Sequence, residues 1–188
     1  MIKSYKDYLD YLAADLRAGA RKPGWVAYWK DDVWRFQCLL RKSEYWSNCF
    51  PGSFMARWYS FRMRQLGRKL GFSIPPNVFG PGLSIAHAGT VVVNDGARVG
   101  ANCRLHVCVV IGTEAGKSRA APQIGENCYI GPGSKIFGQI RIGDNVAIGA
   151  NAVVKDSFPE GNMTIAGMPA RKVSNKTSEG LLIKGWLR

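Results

Sequence analysis

From Ile124 onward an aliphatic residue returns at every sixth position. The segments read IGENCY, IGPGSK, IFGQIR, IGDNVA, IGANAV and VKDSFP, which puts Ile124, Ile130, Ile136, Ile142, Ile148 and Val154 in one register, four of them followed by glycine. Upstream, VGANCR, LHVCVV and IGTEAG begin at Val99, Leu105 and Ile111, and FGPGLS and IAHAGT begin at Phe79 and Ile85. A stretch from Val91 runs two residues long before Val99. Twelve starts thus share a frame, broken by that extra pair and by an excursion between Ile111 and Ile124. A period of six matches neither the 3.6 of a helix nor the alternation of a strand. It suits a coil with three short flat faces, each hexad supplying one face with its aliphatic residue inward and a small second residue at a tight corner. Three hexads make a coil, so the frame predicts about four coils, stacked as parallel strands roughly 4.8 Å apart. The expected fold is mainly β, a parallel β-helix over residues 73–174, preceded by an α-helical region over 1–72 and followed by a tail, 175–188.

The N-terminal region has a different texture. Residues 4–19 start at a candidate cap, Ser4, and place Tyr5, Tyr8, Leu9, Leu12 and Leu16 on one helical stripe. Lys22-Pro23-Gly24 breaks the chain, and residues 31–48 and 53–70 read as two more helices separated by Pro51-Gly52. The last of these carries Arg57, Arg62, Arg64, Arg68 and Lys69 among Trp58, Tyr59 and Phe61. It is either a packed helix with a solvated basic face or a face that lies on anionic lipid.

Charge points the same way without choosing. The net charge is +13, with 14 Lys/Arg against 6 Asp/Glu in residues 1–72 and 12 against 7 in 73–188. Such a balance favours an anionic partner: nucleic acid, an acidic membrane surface or a phosphorylated cofactor. No recognised nucleic-acid motif is found, so nucleic acid is not an expected partner. No run reaches the roughly 18–20 apolar residues of a membrane span, and the first residues lack the apolar core of a signal peptide, so the expected location is the cytoplasm. The five cysteines, Cys38, Cys49, Cys103, Cys108 and Cys128, show no C-x-x-C spacing and read as small buried hydrophobes.

The chain has two histidines, and the register places both. His87 is third in its hexad, near a corner and facing away from the interior. Counting three hexads on from Ile85 reaches Leu105, so His106 should lie one coil above Ala86, diagonal to His87 and within several ångströms of it. An edge imidazole is a suitable general base for a hydroxyl attacking a thioester. Two histidines are too few for a three-histidine zinc site, and no metal is expected. The excursion TEAGKSRAAPQ, with Lys117 and Arg119, follows the coil of His106, and loops that interrupt a solenoid tend to carry function. Small residues at Gly131, Ala147 and Ala150 would leave a slot for a thin pantetheine arm, and Arg171 and Lys172 suit the phosphates of coenzyme A.

The hexad pattern resembles the hexapeptide-repeat acyltransferases, whose coils form a left-handed β-helix, a hand opposite to the usual crossover preference. Within that family, SIAHAGTVVVN resembles the segment around the catalytic histidine of serine acetyltransferases. The likeness continues through VGANCRLHVCVVIGT and PQIGENCYIGPGSKIFGQIRIGDNVAIGANAVV to IAGMPARKV, roughly residues 70–174. It is nearest a shorter branch associated with capsule and exopolysaccharide gene clusters, whose members share the IPPNVFGPGLSIAH type of approach. The resemblance implies acetyl-CoA as co-substrate, His87 as catalytic base, and Thr113, Gly131, Pro132, Ala147 and Ala150 along the acetyl-CoA slot. It also implies a homotrimer, or a dimer of trimers, with sites between subunits.

The chain departs from the family pattern at informative places. The aspartate that orients the catalytic histidine falls at about Ser73, and the acidic residue just before that histidine is Ala86. An Arg-His pair that holds the serine substrate is replaced by Ala120 and Ala121, leaving His106 and Arg119 as candidate substrate-binding side chains. Asn94, Asp95 or a main-chain carbonyl are the remaining candidates to orient His87. The expected function is an acetyl-CoA-dependent serine O-acetyltransferase, feeding cysteine synthesis. An O-acetyltransferase for a sugar hydroxyl of a surface polysaccharide is the second reading, and a non-catalytic basic scaffold on membrane or nucleic acid is the alternative of another class.

Overall fold

Aliphatic residues six apart meet when the chain winds into a three-sided coil. A computed structural model describes residues 1–116 and 120–187. Four helices come first, α1 (Tyr5–Ala18), α2 (Trp25–Lys30), α3 (Asp32–Cys49) and α4 (Phe54–Leu70). The strands that follow are β1 (Phe72–Ser73), β2 (Ser84–Ile85), β3 (Val91–Val93), β4 (Arg98–Val99), β5 (Arg104–Leu105), β6 (Val109–Gly112) and β7 (Gln123–Ile124). The upper half holds β8 (Tyr129–Ile130), β9 (Lys135–Phe137), β10 (Arg141–Ile142), β11 (Ala147–Ile148), β12 (Val153–Val154), β13 (Thr164–Gly167) and β14 (Ala170–Ser174). A first face stacks β1, β3, β6, β9 and β12; a second stacks β4, β7 and β10; a third stacks β2, β5, β8, β11 and β13, with β14 antiparallel on its outer edge. All other pairings are parallel, as the repeat requires.

The register follows the aliphatic column. Ile85, Leu105, Ile130, Ile148 and Ile165 rise through the third face, and Val99, Ile124 and Ile142 through the second. Each of these is at most 5% exposed. The extra pair of residues is placed differently from the sequence reading. Val91 pairs with Val109 and Val93 with Ile111, so the surplus lies between Ile85 and Val91, in the corner that carries His87, rather than after Val91.

The corners also divide their labour in a way the repeat does not announce. Gly100 and Gly125 have ordinary backbone angles; a Cβ on either would come within 2.7 Å of the glycine backbone of the coil above. Glycine is needed there for close approach of coils rather than for turning. The turn itself falls to Asn102, Asn127, Asn145 and Asn162, all at positive φ, where asparagine is tolerated better than other side chains. Their amides form a ladder up the edge, Asn102 donating to Asn127, Asn127 to Asn145 and Asn145 to Asn162 at 2.9–3.0 Å.

The helices begin as read: Ser4, Asp31 and Ser53 cap α1, α3 and α4 by accepting from the backbone N–H three residues on. Two details differ. A short helix, α2, fills the stretch after Pro23-Gly24. On α1 the inward residues are Tyr8, Tyr11, Ala14, Asp15 and Ala18, whereas Tyr5 and Leu9 are exposed. The reason is Asp15, which turns inward to meet Arg41 of α3. Arg41 donates from Nε to Asp15 at 2.8 Å, from Nη1 to Glu44 and to the Phe79 carbonyl at 2.9 Å, and from Nη2 to the Gly80 carbonyl at 2.7 Å. Asp15 also accepts from the backbone N–H of Gly82 and Leu83 at 2.8 Å, and Glu44 from that of Asn77. Burial alone would lower the affinity of Arg41 for its proton, but Asp15 and Glu44 more than offset this and hold it charged.

The C-terminal segment docks on the β-helix. Ser178 donates to the Asn127 carbonyl, Trp186 exchanges two hydrogen bonds with the Asn102 side chain, and Arg17 of α1 donates to the Gly185 carbonyl. Of the cysteines, Cys38, Cys103 and Cys128 are buried as expected, and burial pushes the Cys38 and Cys128 thiols up to about 12. Cys49 is half-buried, and Cys108 is exposed, because it takes a left-handed corner position at φ +60°.

Replacing Arg41 by Met would leave two carboxylates buried without their cation. Urea denaturation should show a loss of about 3–5 kcal/mol in unfolding free energy, since one partner of a buried ion network has been removed. A loss below about 1 kcal/mol would mean that Asp15 and Glu44 are adequately solvated without it.

Candidate active site

The edge where the third face passes into the first gathers most of the chemistry. In each coil it follows an inward aliphatic residue: Ala86-His87 after Ile85, His106 after Leu105, Gly131-Pro132 after Ile130 and Gly149-Ala150 after Ile148. The backbone N–H of Ala86, His106 and Gly131 donates to the carbonyl of Leu105, Ile130 and Ile148 one coil up, so these positions are held in a column. The two imidazoles lie with centroids 6.5 Å apart, the diagonal juxtaposition that the register predicts.

Their surroundings differ. His87 is exposed on the lengthened corner, and no hydrogen bond from another described residue reaches its ring. The corner is braced from below: Gly89 donates to the Leu70 carbonyl at the end of α4, and Val91 donates to that of Gly71. His106 is half-buried against Tyr129, with ring centroids 5.0 Å apart, and its Nε2 is buried with no partner. Burial, helped by the nearby Arg104 and by His87, lowers its pKa below the usual imidazole value. The pair therefore offers one solvent-facing imidazole and one half-buried imidazole whose Nε2 is enclosed and unpartnered.

Other expected site residues are distributed. Gly131, Pro132 and Ala150 share the edge with the histidines. Ala147 does not share its open surface: it sits within β11 between Tyr129 and Thr164 and is 3% exposed. Thr113 is half-buried where the excursion leaves the first face, one face away from the histidines. Arg171 and Lys172 are exposed on β14, and Arg171 is paired with Asp156 at 2.6 Å. Lys117 and Arg119 lie outside the described residues.

The candidates to orient His87 are also relocated. Asn94 and Asp95 are at the opposite end of the first face, where the Asn94 side chain accepts from Gly96. Ser73 is exposed on β1, paired with Val92. Ala120 and Ala121 are 7% and 6% exposed, Ala121 within the core. A polar groove of about 600 Å³ on the second face, lined by Arg98, Gln123, Arg141 and Asp144 among others, includes neither histidine. Among the described residues no cluster of His, Cys, Asp and Glu is suited to a metal. Sequence reasoning missed the exposed Cys108 beside this edge; its position before a strand, at the place held by Gly133 and Asn151 in later coils, was the available signal.

The family described as bacterial transferase hexapeptide (six repeats) matches residues 121–156. The chain is 36% identical over 115 residues to a serine acetyltransferase of Helicobacter pylori, covering 60% of this chain and 67% of that one. It is 32% identical over 142 residues to a serine acetyltransferase of Synechococcus elongatus, covering 66% of this chain and 58% of the relative. Among solved structures, soybean serine acetyltransferase superposes with a TM-score of 0.73 at 26% identity, over 89% of this chain and 69% of that one. A serine acetyltransferase in complex with CoA gives 0.72 at 26% identity, over 90% and 71%. The fold is the left-handed parallel β-helix, and the chain belongs to the serine acetyltransferase-like hexapeptide-repeat acyltransferases. It spans 58% of the length of the Synechococcus relative that it matches.

The lowered pKa of His106 has a measurable consequence. Below about pH 6.5, the ordinary imidazole value, an unfolded chain takes up a proton there before the folded chain does. Stability contributed by neutral His106 is therefore present above that pH and lost as pH falls toward the depressed value. Thermal unfolding from pH 7.5 down to pH 5 should bring the midpoints of the wild type and His106→Gln closer together. Parallel curves would contradict the burial assigned to this ring.

Proposed function

We propose that this chain is an acetyl-CoA-dependent O-acetyltransferase with L-serine as acceptor, and that His87 is its general base. The observation that carries the reading is the histidine pair: an open imidazole 6.5 Å from a second whose Nε2 is unpartnered, on one edge with Gly131, Pro132 and Ala150. Likeness to proteins named serine acetyltransferase, one of them bound to CoA and another to serine, supports donor and acceptor.

In this reading His87 removes the hydroxyl proton as the acceptor oxygen attacks the thioester carbon. The carbonyl electrons move onto oxygen, where backbone N–H groups of the edge that are not bonded between coils steady the negative charge. Collapse expels the CoA thiolate, which takes the proton from His87, leaving an O-acetyl ester and free CoA. His106 borders the acceptor beside His87. Gly131, Pro132 and Ala150 border the pantetheine arm because small residues there leave room for it. Thr113, Arg171 and Lys172 belong to walls completed by a neighbouring subunit of a homotrimer or dimer of trimers, since a single edge presents the reacting groups on an open surface.

A second acceptor is favoured by one observation. Ala120 and Ala121 are buried and uncharged at the positions where the family pattern holds an Arg-His pair for serine, so that pair's recognition of ammonium and carboxylate is missing. A sugar hydroxyl needs neither contact. Release of CoA from acetyl-CoA, measured with L-serine and separately with a panel of sugars and nucleotide sugars, decides between them. Turnover with serine is expected; turnover with a sugar alone would move the enzyme to polysaccharide modification.

His87→Ala should lower kcat by about 10²–10⁴-fold with CoA affinity and the unfolding midpoint unchanged, because the ring is exposed and outside the core. An undiminished rate would remove His87 from the mechanism.

A further inference from the structure

The outward face of α4 plays no part in the acetyl-transfer reading. At about 100° per residue, Phe54, Trp58 and Phe61 form its midline, and they are 75%, 42% and 47% exposed. Phe54 stacks on Trp58 with ring centroids 6.3 Å apart, and Trp58 meets Phe61 at 6.5 Å. Arg57, Arg64 and Arg68 flank this aromatic stripe on one side, Arg62 and Lys69 on the other, and α4 contains no carboxylate. Among the described residues, Arg57, Arg62, Arg64 and Arg68 form no ion pair, while Lys69 reaches Asp32 at 3.4 Å. The guanidinium of Arg62 lies 5.5 Å from the centre of the Trp58 ring. On the Arg64 and Arg68 side the apolar surface continues into a cleft of about 580 Å³ lined by Phe61, Met63, Phe72 and Ile74.

We propose that this face docks the protein on the surface of anionic phospholipid membranes. Exposed aromatic rings between two rows of cations are the arrangement by which a helix lies in a bilayer interface, rings at the acyl boundary and guanidinium groups among the phosphates. No helix among the described residues is long and apolar enough to cross a membrane, so attachment is peripheral. Charge argues against a second copy as occupant, because it would set like-charged rows against each other. Nucleic acid would satisfy the cations but leaves no use for a contiguous aromatic stripe continuing into an apolar cleft. The C-terminal end of α4 braces the His87 corner through the bond from Gly89 to Leu70, so the docking helix and the candidate active edge are directly linked. The proposal does not depend on the identity of the acceptor.

Co-sedimentation of the full chain with vesicles tests it. Vesicles containing roughly a third phosphatidylglycerol should bind at least about tenfold more protein than phosphatidylcholine alone, with binding falling as salt rises. Two variants, Trp58→Ala/Phe61→Ala and Arg57→Glu/Arg62→Glu, should each lose most of it, with circular dichroism confirming that they remain folded. Equal binding to both vesicle types, or retention by either folded variant, would overturn the proposal. So would absence of vesicle binding together with a concentration-dependent self-association, or an oligonucleotide complex, that the same variants abolish.

Discussion

A single buried guanidinium ties the helical region to the β-helix. Arg41 is fully buried, and its hydrogen bonds reach α1 through Asp15, its own helix through Glu44, and the first coil through the carbonyls of Phe79 and Gly80. The same carboxylate of Asp15 holds the backbone N–H groups of Gly82 and Leu83, which begin the approach to β2. A network of this kind contributes less to net stability than its bonds suggest, because all three charges lose their water. What it specifies is placement: α1 and α3 meet the coil in one orientation, because any other leaves a charge unpaired.

From that base, stacking register does the positioning. Parallel pairing of Ile85 with Leu105 brings the corners after them together, and a corner lengthened by two residues swings His87 into solvent while His106 stays against Tyr129. The two rings therefore differ in exposure although they share an edge. One fold element thus produces an imidazole in solvent and another whose pKa burial lowers.

The period of six made the coils, their parallel pairing and the neighbourhood of the two histidines legible, since inward residues repeat at the spacing that the backbone imposes. The roles of the corner residues were not legible in the same way. A glycine and an asparagine in the hexads from Val99, Ile124 and Ile142 look like equivalent turn formers, and only the stacked backbone shows that one serves close approach and the other the left-handed turn. The stripe of α1 misled because Asp15, a charged residue, points inward for a partner 26 positions away. Docking of the C-terminal segment was equally hidden: Ser178 and Trp186 answer polar groups on the asparagine edge, and no hydrophobic pattern advertises such a contact. At the candidate site the sequence located the edge but not the burial of Ala147, or the distance of Asn94 from His87, which depend on how much chain each corner consumes.

The antiparallel return of β14 along β13 has a consequence for the molecule as an object in solution. A stack of identical parallel coils is an open template, since its last rung presents unpaired N–H and C=O groups to any similar rung. Here the third face ends in a strand running the wrong way for another coil to follow, with Arg171 and Lys172 exposed along it. The opposite end is closed by helices anchored through Arg41. A fold whose internal logic is indefinite repetition is thereby given a stop on its third face, where the chain itself refuses the next coil.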